Sequence, residues 1–197
     1  MAYGKSIELF LVNGTADSLI TAELSNWNGK AIKIPRIEVS ACNRDDIKQA
    51  GVYFLFCKED NGKDSVYIGE AENVKERLVQ HLRDAQAEKE KYYWNIAVIF
   101  IGRDLNKALI RYLENRFVEI ARSVIDMRFS QKTHIKNTVL KESQVASMEE
   151  FVDNVKVLIN ALGYKVLDAY TNAIPKEDAV GETEKKENLN YNLGSAS

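Results

Sequence analysis

An α+β fold is predicted for this 197-residue chain. Two observations point to it. Short apolar runs separated by turn residues fill residues 6–34 and recur at 52–68. Long segments of helical period then dominate the second half, so strands and helices segregate along the chain rather than alternate one by one.

The elements can be justified in order. Residues 6–12 (SIELFLV) read as a strand, Asn13-Gly14 as a turn, and 18–24 (LITAELS) as the partner strand. Asn28-Gly29 marks the next turn, and Ala31 to Ile34 alternates until Pro35 stops it. These three strands form an N-terminal antiparallel meander. Asn43 is expected to cap a short helix through Gln49, with Asp45 and Asp46 in its first turn. Val52–Cys57 and Ser65–Ile68 are strands joined by the polar loop 59–64. Asn73 is the expected N-cap of a helix through about residue 87, with Glu76 at the capping-box position and Val74, Leu78 and Leu82 facing the core. The run 86–91 (QAEKEK) reads as a solvated charged end. Trp94–Ile101 is a buried strand ended by Gly102, and Leu105–Val124 has the strongest helical period in the chain. A last helix is predicted from Ser147 to Leu162, with Glu149 and Glu150 in its first turn and Gly163 as its stop. From Pro175 onward the sequence is polar and acidic and is read as disordered.

Composition bounds the function. An apolar fraction of 45% suffices for a core, and no run of 18 apolar residues predicts a membrane span. No secretory signal is read at the N-terminus, and Cys42 and Cys57 are expected to be reduced thiols in a cytoplasmic protein. Net charge is −2, but it is unevenly spread: −1 over residues 1–60, +3 over 61–137 and −4 over 138–197. The excess of cations is modest, too small to predict nucleic-acid binding by itself. P-loop, dinucleotide-glycine and zinc-ligand patterns are missing from the sequence.

One stretch carries chemistry. Gly51-Val52-Tyr53 opens one strand and Tyr67-Ile68-Gly69 closes the next, and Arg77 and His81 follow four residues apart on the helix that leaves them. Phosphodiester hydrolysis needs an activated water, a cation on the phosphate and help for the leaving oxygen; two phenols, a guanidinium and an imidazole can supply these. Glu114, flanked on its helix by Ile110, Phe117 and Val118, is the best carboxylate for a metal. Each residue also has a plain reading. The tyrosines could be core aromatics, Arg77 a surface partner of Glu76 or Glu72, His81 an exposed histidine, and Glu114 a surface pair with Arg111. His134 is read as a surface residue.

Taken in order, these residues resemble the GIY-YIG nuclease family. Gly51-Val52-Tyr53 and Tyr67-Ile68-Gly69 are similar to the two naming strands, with Val52 in place of isoleucine. Arg77 matches the helix arginine, His81 the His or Tyr one turn later, Glu114 the metal-binding glutamate, and Asn137 the closing asparagine. The N-terminal meander and the Glu70-Ala71-Glu72 segment are similar to a bacterial subgroup with a β-extension before the nuclease core. The resemblance implies a small three-stranded antiparallel sheet flanked by helices. It divides the chain into a meander (1–42), a nuclease core (43–140), a C-terminal helical segment (141–172) and a tail (173–197). It further implies Mg²⁺ on Glu114, with Mn²⁺ as the substitute, and DNA as partner, with RNA as the alternative. Tyr53 would be the general base assisted by His81, Tyr67 would orient water or phosphate, and Arg77 would stabilise the transition state. Gly69, Lys75 and Asn137 would contact substrate. A non-catalytic nucleic-acid-binding module of the same fold is the alternative reading.

Overall fold

The computed structural model describes residues 4–58, 64–86, 93–124 and 138–168. Six strands form one antiparallel sheet: β1 (Ile7–Leu11), β2 (Ile20–Leu24), β3 (Gly29–Pro35), β4 (Gly51–Lys58), β5 (Asp64–Ala71) and β6 (Trp94–Gly102). Their order across the sheet is β1-β2-β3-β6-β4-β5. The three strands β6, β4 and β5 are the expected core sheet. The meander is not a separate layer: β3 pairs with β6 over seven residues, from Gly29 opposite Gly102 to Pro35 opposite Ile96.

Strand alternation sorts side chains onto two faces. Val52 and Phe54, Val66 and Ile68, and Val98 and Phe100 bury one face. Against it pack α3 (Lys107–Val124) and α4 (Glu142–Ala161) through Leu113, Phe117, Val152 and Val155. Tyr53, Leu55, Ala97, Ile99, Ile32 and Ile34 bury the opposite face. There α2 (Val74–Gln86) contributes Val74 and Leu78, and the short helix α1 (Arg36–Val39) contributes Val39. The layering is that of an α+β domain, helices on both faces of one antiparallel sheet. Asn73 caps α2 as expected, its Oδ1 accepting the backbone N–H of Glu76 at 3.2 Å.

Three local expectations are corrected. Residues 43–49 form only a 3₁₀ turn at Asp45–Ile47, and α1 precedes it directly after Pro35. The acidic side chains close that turn with neighbouring cations, Arg44 Nε to Asp46 at 2.9 Å and Lys48 Nζ to Asp45 at 2.9 Å. Asn43 accepts from Lys48 Nζ at 3.0 Å rather than from a backbone N–H. α4 begins five residues before Ser147, because Gln144 Oε1 accepts the backbone N–H of Lys141 at 3.0 Å and closes the first turn there. Glu149 therefore sits inside α4, where it accepts hydrogen bonds from Tyr112 Oη at 2.7 Å and Arg116 Nε at 2.9 Å of α3. The loop 59–63, the charged run 87–91, His134 and the tail lie outside the described residues. No helix among the described residues is long and apolar enough to cross a membrane.

Because the meander and the core strands share one sheet and one apolar face, they should unfold together. Ile32 is fully buried opposite Ile99. Ile32→Ala is expected to cost about 2–5 kcal/mol, read in urea denaturation as one shifted transition that fluorescence and circular dichroism report at the same midpoint.

Candidate active site

β5 is an edge strand, and the candidate site wraps around that edge. Odd residues of β5 face α2 and even residues face α3. Tyr53 and Tyr67 therefore look toward α2, while Glu114 approaches from α3 on the other side. The two sides meet in a cleft of about 520 Å³ lined by Tyr53, Tyr67, Glu70, Arg77, Lys107 and Glu114, among others. A larger cleft of about 820 Å³ lies by Trp27, Arg103 and Phe151 and collects none of the motif side chains.

The glycines of the two tripeptides are explained by space. Tyr53 stands opposite Gly69 in the β4–β5 register. A Cβ on Gly69 would lie 2.5 Å from both Cζ and Oη of Tyr53, so only glycine lets the phenol lie across β5. Gly51 is held as tightly, since a Cβ there would meet the Phe100 carbonyl at 2.6 Å. With Gly69 as its bed, the Tyr53 ring stacks beside Tyr67 with centroids 6.2 Å apart, and both rings meet His81 edge-on at 5.8 and 5.4 Å.

The Tyr53 hydroxyl is the hub. It lies 3.1 Å from His81 Nε2 and accepts a hydrogen bond from Arg77 Nε at 3.4 Å. Arg77 also donates from Nη1 to Gln80 Oε1 at 2.7 Å, which fixes the guanidinium plane. Four residues of spacing on α2 put Arg77 and His81 on one helical face, and Asn73 at the cap sets the phase of that face. Burial, and the charge Tyr67 would carry, hold the Tyr53 phenol well above its ordinary value of 10, with Arg77 acting in the opposite direction. Burial and the Arg77 cation together push His81 from 6.5 down to about 4, outweighing Asp84. The imidazole is thus neutral at pH 7. With Tyr53 accepting from Arg77, the consistent assignment is Tyr53 O–H donating to an unprotonated His81 Nε2.

Glu114 is half-buried, and burial raises its carboxyl from 4.5 to about 7. The negative charge of Glu70 adds to the rise, while Arg111, Arg77 and Lys107 oppose it. Glu70 was not among the sequence candidates. The signal for it was available: it continues the inward-facing series Val66, Ile68 on β5, a position where a carboxylate is out of place. Lys107, also unforeseen, ion-pairs with Glu72 at 3.0 Å at the cleft rim.

One of the expected substrate contacts is seen away from the cleft lining and another is not described. Lys75 donates to the carbonyls of Val39 and Ser40 at the end of α1, away from the cleft lining. Asn137 lies outside the described residues. Tyr53, Tyr67, Gly69, Arg77, His81 and Glu114 are gathered at one place.

The comparison with known families agrees with this geometry. Residues 49–124 match the GIY-YIG catalytic domain, the segment that holds the two tripeptides, α2 and α3. Such domains are typical of endonucleases, which act on nucleic acids and generally use divalent metals, and the match supports a nuclease-type function in general terms. The chain has no significant match among curated proteins or among solved structures.

Glu114 also makes a stability prediction. Its carboxyl is raised in the fold, so the native state holds its proton more tightly than the unfolded chain. Stability from this group is full below about pH 4.5 and is lost as pH rises through about 7. In metal-free buffer at pH 8, Glu114→Gln should therefore be more stable than wild type, by on the order of 1–2 kcal/mol after screening by solvent at this half-open site. Thermal melts at pH 8 and pH 4.5 check it, the gain being absent at the lower pH.

Proposed function

We infer that the chain is a divalent-metal-dependent endonuclease that hydrolyses phosphodiester bonds in DNA. The observation that carries this reading is the Tyr53 hydroxyl held between His81 Nε2 and Arg77 Nε on the cleft that also takes Glu114. RNA is the other substrate the same chemistry admits. Cys42 and Cys57, which form no disulfide with each other, suit a reducing compartment, and cytoplasmic action is proposed.

The fit of a metal can be judged from the donors. The cleft holds Glu114 and Glu70, hard oxygen donors, and Glu70 Oε2 is buried with no hydrogen-bond partner among the described residues. No cluster of three or more potential ligands exists among those residues. That donor set fits Mg²⁺, which keeps several waters and takes one or two carboxylates plus substrate phosphate. Glu114 would hold the ion, with Mn²⁺ as substitute. Bound there, a divalent cation supplies charge stabilisation on the phosphate and acidifies the attacking water.

The chain's own residues do the rest. The Tyr53 phenol is too weakly acidic to ionise freely, so it serves as a relay. As water attacks phosphorus, the Tyr53 oxygen takes the water's proton while the phenolic proton passes to neutral His81 Nε2, and the P–O bond to the leaving oxygen breaks, that oxygen taking a proton from solvent. Arg77, already against Tyr53, stands ready to offer N–H groups to the phosphoryl oxygens as negative charge builds. Tyr67, stacked beside Tyr53, orients the phosphate or water. The excess negative charge of the carboxylates without a cation would repel a phosphate, which counts against a module that only binds nucleic acid.

Plasmid cleavage with Mg²⁺ is the test. Wild type should cut, EDTA should stop it, and Glu114→Ala and Arg77→Ala should each slow cutting by about 10²–10³-fold, the size of losing one charge-stabilising group. Full cleavage by both variants would remove the reading.

A further inference from the structure

Glu70 is the one cleft side chain whose state the fold leaves unexplained. It continues the buried face of β5 after Val66 and Ile68, beneath α3, and its side chain is 14% exposed. Lys107 Nζ makes a long ion pair with its Oε1 at 3.9 Å, beyond hydrogen-bond range, and a closer one with Glu72 at 3.0 Å. Oε2 is sealed from solvent and finds no partner among the described residues. A buried carboxylate oxygen left unpaired is costly, and such atoms call for an explanation by an ion or water that belongs there. Across the same cleft stands Glu114, close enough for the charge of Glu70 to act on it. Two carboxylates converging from β5 and α3 have a shared use.

We propose that Glu70 is a second carboxylate of the metal site, holding the divalent ion jointly with Glu114. The inference rests on the metal-nuclease reading above. It assigns the ion a two-carboxylate seat between the sheet edge and α3, where a single glutamate would leave it held by water and substrate. Lys107 stays with Glu72 at the rim when the ion enters. The proposal separates the roles of the two faces of β5: Tyr67 and Gly69 serve the proton relay on one, and Glu70 serves the ion on the other.

The test uses the full chain and Mn²⁺ alone as probe, followed by electron paramagnetic resonance at pH 8 in wild type, Glu70→Gln and Glu114→Gln. Wild type should bind Mn²⁺, and each substitution should weaken Kd at least tenfold. Thermal melts run alongside. In metal-free buffer Glu70→Gln should melt at or above wild type, since it removes a buried carboxylate whose Oε2 has no hydrogen-bond partner among the described residues, and added Mn²⁺ should raise the wild-type Tm but not the variant's. Unchanged Kd in Glu70→Gln together with a lost site in Glu114→Gln would overturn the role of Glu70 and leave the nuclease reading intact. A lowered metal-free Tm with the Mn²⁺-induced rise preserved would also overturn it, as the mark of a structural residue. Unchanged Mn²⁺ binding and unchanged plasmid cleavage in Glu114→Gln would instead bring down the underlying reading, and this inference with it.

Discussion

The buried hydroxyl of Tyr53 constrains everything around it. A phenol on a core-facing strand position must find hydrogen-bond partners, and in the resting fold these are protein groups. Its ring is 1% exposed, so the partners have to come from the protein. They come from α2, as His81 Nε2 and Arg77 Nε. That requirement fixes the docking of α2 on the sheet, the absence of a side chain at Gly69 and the uncharged state of His81. The residues proposed for proton transfer are thus the same residues that anchor α2.

The second constraint is the edge position of β5. A central strand would have helices closing both faces and no room for a substrate. At the edge, one side presents the phenols and the guanidinium, the other presents carboxylates, and a phosphate can approach between them. The charge arrangement is polarised accordingly. Arg77 lies on the relay side, and the raised carboxyl of Glu114 lies on the side proposed for the ion. A divalent cation would relieve that strain by favouring the ionised carboxylate, so ion entry and ionisation of Glu114 are coupled.

Much of this was legible in the sequence because it depended on local patterns. Short apolar runs bounded by turn residues gave all six strands, and helical period with Asn73 as cap gave α2 and the common face of Arg77 and His81. The order of Tyr53, Tyr67, Arg77, His81 and Glu114 gave the gathering of the site. What was not legible depended on contacts between distant segments. The β3–β6 pairing that fuses the meander to the core joins residues about 60–70 apart, and no local pattern encodes it. The start of α4 was missed because Gln144 capping Lys141 lacks the usual Ser, Thr, Asp or Asn signal. Lys75, expected near substrate, stands two residues from Arg77, and about 200° of helical rotation turns it toward α1. Glu70 lies beyond the strand expected over Ser65–Ile68, while the register extends that strand and pairs Glu70 with Val52.

The central claim is that Tyr53 and His81 act as one proton-transfer unit, and a double-mutant cycle on single-turnover cleavage tests it. Tyr53→Phe and His81→Ala should each slow the cut by about 10²-fold, as loss of acid–base catalysis does. If they form a unit, the double variant is no slower than the worse single one, because either change alone already breaks the relay. Effects that multiply in the double variant, or a Tyr53→Phe enzyme that cuts at the wild-type rate, would contradict the account.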